Sequence, residues 1–165
     1  MGASTPAAAA VRAGRYLVFV LGSEEYGIEV LKVREIIGPL PITRVPRMPE
    51  AVRGVINLRG KVIPVVDLRV RFGLEAVDHG ARTCMIVVQT AATEFAAMVD
   101  RVCEVAIIAE DDIEDTPAFG AAVDTDYLLG VAKVGSRVRL LLDIERALSQ
   151  HELVSLAALP HAPTA

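Results

Sequence analysis

The 165-residue chain has no tryptophan, two cysteines, three histidines and only 4% aromatic residues. Each scarcity excludes something. Cys84 and Cys103 cannot form the disulfide framework of a small secreted protein, and they lie too far apart for a C-x-x-C pair. They read as reduced thiols acting as small hydrophobes. His79 lies in a linker, and His151 and His161 in the tail, away from any strand-end constellation. There is no H-E-x-x-H and no G-x-S-x-G. No run of about 18 apolar residues occurs, so no membrane-spanning helix and no direct membrane insertion are expected. Three Tyr and four Phe, mostly in apolar runs, and a net charge of −4 supply neither the basic face nor the stacking platform of a nucleic-acid binder. The acidic stretch 110–115 lacks the ligand spacing and turn glycine of an EF-hand loop. No catalytic set, metal site or cofactor is expected.

What is present is 53% hydrophobic residues, spread along the chain. That composition excludes disorder and suffices for one compact unit or two small ones packed together. Residues 1–14 are Ala-rich, with Arg12 their one charge. Their apolar run is shorter than a signal-peptide core, so they read as a flexible leader on a cytoplasmic protein.

The body reads as β, with Val, Ile and Leu in short runs punctuated by Gly, Pro, Asp and Asn. Candidate strands are 15–21, 26–29, 33–38, 53–58 and 62–66, then 82–89, 94–99, 102–107, 128–134 and 137–142. The two sets resemble each other. At an offset of 69, Glu25 falls on Glu94, Lys32 on Arg101, Val33 on Val102 and Glu35 on Glu104. At an offset of 76, Gly54 falls on Gly130 and Asp67 on Asp143, the Asp following the Gly by 13 positions in both copies. This reads as a duplication: an all-β chain of two similar five-stranded barrels with short helices. The expected bounds are 15–80 and 81–148, joined near 76–82, with a C-terminal helix and tail at 149–165. The barrels should share an apolar seam, and the first strand is a candidate for exchange between them.

The repeat sorts the residues. Asp67 and Asp143 each end a strand before a helical pattern, as N-caps do. Gly54 and Gly130 suit tight turns or close approach. Gly54 to Lys61 superficially resembles a phosphate loop, but it has one residue too many between the glycines and lacks the hydroxyl after Lys61. A hairpin fits better, with Gly60 at positive φ and Arg59 at the tip. The second copy has Lys133, Val134, Gly135 and Ser136 there, so Asn57 and Arg59 are not demanded by the fold. A planar guanidinium at a rigid tip suits a partner's carboxylate or carbonyl, and it is equally a solvated surface arginine.

The motifs together carry a resemblance. Glu25-Tyr26-Gly27-Ile28-Glu29-Val30-Leu31-Lys32-Val33-Arg34-Glu35-Ile36, then Gly54-Val55-Ile56-Asn57-Leu58-Arg59-Gly60, then Val62-Ile63-Pro64-Val65-Val66-Asp67-Leu68-Arg69 closely resemble the CheW family of bacterial chemotaxis coupling proteins. The likeness runs from Arg15 to about Leu159. It implies two SH3-like barrels and no catalysis or cofactor. It implies an adaptor bridging the cytoplasmic tips of methyl-accepting chemoreceptors to the regulatory domain of the histidine kinase CheA, in arrays at the inner membrane. Its receptor contacts match Val33, Glu35, Ile36, Gly54, Asn57 and Arg59. Its kinase contact matches Pro117 and Phe119. Val33 and Ile36 also fit a core role, since period-two alternation cannot turn both of them and Glu35 inward. Phe119 equally fits a loop residue folded on its own barrel. A coupling protein of a non-flagellar sensory array is the alternative within the same class.

Overall fold

Valine, isoleucine and leucine runs broken by Gly, Asp and Pro set the elements. The computed structural model describes residues 12–75, 83–91, 93–115 and 127–147. Most of the leader, the expected joint, Pro117, Phe119 and the expected C-terminal helix lie outside them. The first half supplies β1 (Gly14–Leu21), β2 (Glu24–Glu29), β3 (Val33–Ile37), β4 (Val52–Leu58) and β5 (Lys61–Asp67). The second supplies β6 (Cys84–Gln89), β7 (Glu94–Val99), β8 (Arg101–Ile108), β9 (Ile113–Glu114), β10 (Leu128–Val134) and β11 (Arg137–Leu142). The all-β class is borne out, and β9 is the one strand the sequence did not suggest.

The strands form two sheets, in the orders β8-β1-β2-β11-β10-β9 and β3-β6-β7-β5-β4. Neither is drawn from one half of the chain. Each half gives its first hairpin to the other half's sheet, so a whole hairpin, not one strand, is exchanged in each direction. The exchange is reciprocal down to register. Leu142 opposes Ile28 in the parallel pair β11–β2, and Val66 opposes Ala97 in β5–β7. The bulges repeat as well. Arg34 is skipped in β3 and Cys103 in β8, 69 positions apart. Arg53 is skipped in β4 and Leu129 in β10, 76 positions apart.

Burial explains the exchange. β1 and β6 are apolar on both faces, which suits only a strand covered on both sides. In β1, Leu17, Phe19 and Leu21 enter the seam between the sheets. In β6, Ile86 and Val88 enter the same seam, while Met85 and Val87 face the interior of the five-stranded sheet. The donated hairpins thus form the middle of the molecule. Each buried Leu, Ile or Phe stabilises it by about 1.5–3 kcal/mol. The expected shared seam is this cluster.

The barrels are not closed, which corrects the five-stranded barrels expected from the repeat. One sheet has six strands, and β3 and β4 remain unpaired edges of the other. The reason lies in the segment between them. Pro39, Pro41, Pro46 and Pro49 lack the N–H a ladder needs. The segment meets β4 at one bridge, where Thr43 and Val55 exchange hydrogen bonds of 2.8 and 2.9 Å. Gly54 makes that approach possible: a Cβ there would stand 2.1 Å from the Thr43 carbonyl oxygen. Gly130 plays the same part against β9, where a Cβ would stand 2.8 Å from Ile113 Cγ2. Both aspartates accept from the backbone that follows them, Asp67 as a helix N-cap and Asp143 at a turn. The Asp67 carboxylate accepts from the Arg69 N–H at 3.0 Å, at the start of α1 (Leu68–Arg71). Asp143 accepts from the N–H groups of Glu145 and Arg146 at 3.2 and 3.3 Å, but residues 144–147 form turns instead of a helix.

Candidate interaction site

The β4–β5 hairpin closes through Leu58 opposite Lys61, leaving a two-residue turn of Arg59 and Gly60. Their φ values are +54° and +88°. Positive φ at both central positions matches the right-handed strand twist, and such turns normally carry Asn or Gly first. Asn57 supports the turn, its Oδ1 accepting from the Gly60 N–H at 2.7 Å. The second copy meets the same demand with Gly135, at φ +63°. The first copy therefore puts an arginine where a glycine would do.

Arg59 donates from Nη2 to Glu35 Oε2 on β3. That hydrogen bond holds the Glu35 carboxyl below the usual carboxylate range and raises the Arg59 guanidinium. β3 and the β4–β5 hairpin belong to opposite edges of one curled sheet, and this pair ties their rims. Arg59 keeps its side chain 69% exposed.

The repeated glutamates divide their roles. Glu104, the counterpart of Glu35, accepts at 2.9 Å from Arg139, which is 6% exposed and also donates to Glu25 at 2.9 Å. In the first copy the position of Arg139 is taken by Ile63, buried in the core. Glu35 thus has no interior partner and turns to the tip. Beside it, Glu94 pairs with Lys61 and, at 3.4 Å, with Arg34.

The structure brings Glu35, Asn57 and Arg59 together at this rim, with Ile36 on the same strand as Glu35 and 44% exposed. Val33 is half-buried against the seam, and Gly54 serves the bridge to Thr43. The bulge at Arg34 breaks the alternation that made Val33, Glu35 and Ile36 hard to reconcile. Pro117 and Phe119 lie outside the described residues. The sequence reading missed Arg34 and Lys61, although the match of Glu25 with Glu94 marked the carboxylate they share. It also missed an outward apolar stripe on the edge strand β8, with Val105 and Ile107 54% and 81% exposed. Among the described residues no group of three or more His, Cys, Asp or Glu is placed to hold a metal ion, and no helix is long and apolar enough to cross a membrane.

Two interlocked sheets carrying a charged hairpin rim define an all-β module. The description of the CheW-like domain matches residues 15–152. The chain is 39% identical over 138 residues to the chemotaxis protein CheW of Klebsiella aerogenes, covering 84% of this chain and 83% of that protein. It is 33% identical over 147 residues to the chemotaxis protein CheW of Bacillus subtilis, covering 88% and 92%. The solved scaffolding protein TtCheW from Thermoanaerobacter tengcongensis matches with a TM-score of 0.73 at 33% identity, over 86% of this chain and 92% of that one. The chain belongs to the CheW-like family of chemotaxis scaffolding proteins.

Proposed function

We propose that the protein is a non-catalytic cytoplasmic adaptor that couples chemoreceptor tips to the regulatory domain of the kinase CheA. The observation that carries this reading is Arg59. It holds a left-handed backbone position that the second copy gives to Gly135, and it faces solvent beside Glu35. The rim of Glu35, Ile36, Asn57 and Arg59, with Val33 and Gly54 beneath it, is the receptor contact. The guanidinium exchanges part of its bond with Glu35 for a receptor carboxylate or carbonyl. The kinase contact lies around Pro117 and Phe119, and the apolar stripe of Val105 and Ile107 contributes at the edge of the six-stranded sheet.

Charge suits this division. Residues 1–80 carry a balance of +3 and residues 81–165 one of −7. Unlike charge on the two halves favours contact between unlike surfaces of this protein and the similar double barrel of the kinase, and such heterologous contacts close into rings when the rotation allows. Charge sets the approach rate and salt sensitivity, while apolar contact sets the lifetime. Each contact need only be micromolar, about −8 kcal/mol, because repetition in an array multiplies it. The test is receptor-controlled kinase activity with Arg59→His. An unchanged melting temperature with lost receptor control supports the reading, and normal control contradicts it.

A further inference from the structure

The proline-rich segment between β3 and β4 forms a second surface. Its apolar side chains turn inward: Leu40 and Ile42 pack on the five-stranded sheet's interior cluster, Val45 and Met48 on the seam. Prolines fix φ at four positions, and the Thr43–Val55 bridge pins the middle. Arg44 and Arg47 are left facing solvent. Among the described residues neither has a hydrogen-bond or ion-pair partner. Arg47 is held at φ +64°; it and Arg59 are the two non-glycine residues with positive φ among the described residues. Strain of this kind persists where the surroundings dictate it, and it gathers at binding sites.

Two cavities of about 520 Å³ each adjoin here, and Arg44 and Arg53 line both. Arg53 is anchored by donation to Asp67 at 2.8 Å. Arg47, Pro46 and Pro49 line one cavity, and Pro39, Pro41 and Ile42 the other. One carboxylate, Glu50, faces three guanidiniums. β4 leads from this surface to the Arg59 turn, about 20 Å at roughly 3.3 Å per residue, so the two surfaces meet at Gly54 while the Arg59 tip stands apart.

We propose that this surface docks an extended acidic segment of a partner protein, its carboxylates on Arg44 and Arg47 and its apolar side chains against the proline walls. Two unpaired guanidiniums, Arg44 and Arg47, beside the Asp67-anchored Arg53 select negative charge, and the guanidinium fork suits carboxylates. A single inorganic anion would leave most of each cavity empty, since one water occupies about 30 Å³. The site does not use Arg59, Glu35 or Asn57, and it survives if the receptor reading fails.

The probe is a fluorescein-labelled nonapeptide alternating Glu and Leu, titrated into the full chain. Amide shifts are expected within 39–53, with binding weakened at least tenfold by the pair Arg44→Gln and Arg47→Gly and unchanged by Arg59→Gly. Glycine relieves the positive φ at 47, so the fold is expected to survive, and the melting temperature checks it. A peptide with Gln for Glu should bind at least tenfold more weakly. Equal binding by the Gln peptide, equal binding to the double variant, or shifts outside 39–53 would overturn the proposal. So would inorganic phosphate competing at the peptide's own concentration. Self-association of the chain abolished by the same double substitution would assign the groove to its own acidic run, 110–115, and overturn the assignment to another protein.

Discussion

Arg139 donates from Nε to Glu25 Oε1 at 2.9 Å, joining β11 of the second half to β2 of the first. The pair lies across one of the two junctions where the halves exchange hairpins. Arg139 is buried and also holds Glu104. Removing Arg139 would leave the largely shielded Glu25 with only the longer contact to Arg137, at 3.5 Å. We expect Arg139→Ala to cost about 3 kcal/mol, read from urea denaturation, and Arg139→Met less, because it keeps the packing.

The same junction makes stability fall in acid. The hydrogen bond from Arg139 lowers the Glu25 pKa below its ordinary value. A depressed folded-state pKa gives stability that is fully present above the unfolded value, about 4.3. It is lost as pH falls through the folded value. Unfolding free energy measured from pH 6 downward should drop below about pH 4.3, and Glu25→Gln should flatten that part of the slope.

Gly54→Ala should destabilise the fold through sterics. The new Cβ would meet the Thr43 carbonyl oxygen at 2.1 Å while φ is +143°. A loss of about 1–3 kcal/mol is expected, measured as a fall in melting temperature. Gly130→Ala should cost less, because its backbone is not in the left-handed region and its nearest atoms, the Ile113 methyl at 2.8 Å and the Glu114 carbonyl oxygen at 2.9 Å, are farther than the 2.1 Å at Gly54.

Reciprocal exchange predicts that the halves hold together without a covalent joint. A protease site introduced within 76–82 should cut to two fragments that co-elute and unfold as one. Either fragment alone lacks the partner strands of its sheet and should be unfolded by circular dichroism. Fragments that separate after cutting would contradict the exchange.

Much of this architecture was legible. The duplication showed because Gly54 with Gly130 and Asp67 with Asp143 serve backbone demands that hydrophobic exchange cannot blur. The strands showed through their β-branched runs. The exchange was only half legible. The seam residues of β1 and β6 read alike in both copies, so sequence alone cannot say which copy a hairpin joins. Closure was overestimated because the effect of Pro39, Pro41, Pro46 and Pro49 on the ladder depends on where the segment meets β4. At the rim, Arg59 was found because the second copy has glycine there. The division between Glu35 and Glu104 was hidden, since it rests on Ile63 standing where Arg139 stands in the other copy, with two strands between it and the glutamate. Arg44 and Arg47 look like ordinary surface charges until the cavities between them are seen.

The most direct test of the receptor contact is a titration of the isotope-labelled chain with a soluble chemoreceptor cytoplasmic fragment. Wild type and Arg59→Gly should be compared at equal melting temperature. The account predicts amide shifts gathered at 33–37 and 57–60, and binding weakened at least tenfold by the substitution. Shifts elsewhere on the protein, or equal binding by the glycine variant, would contradict it.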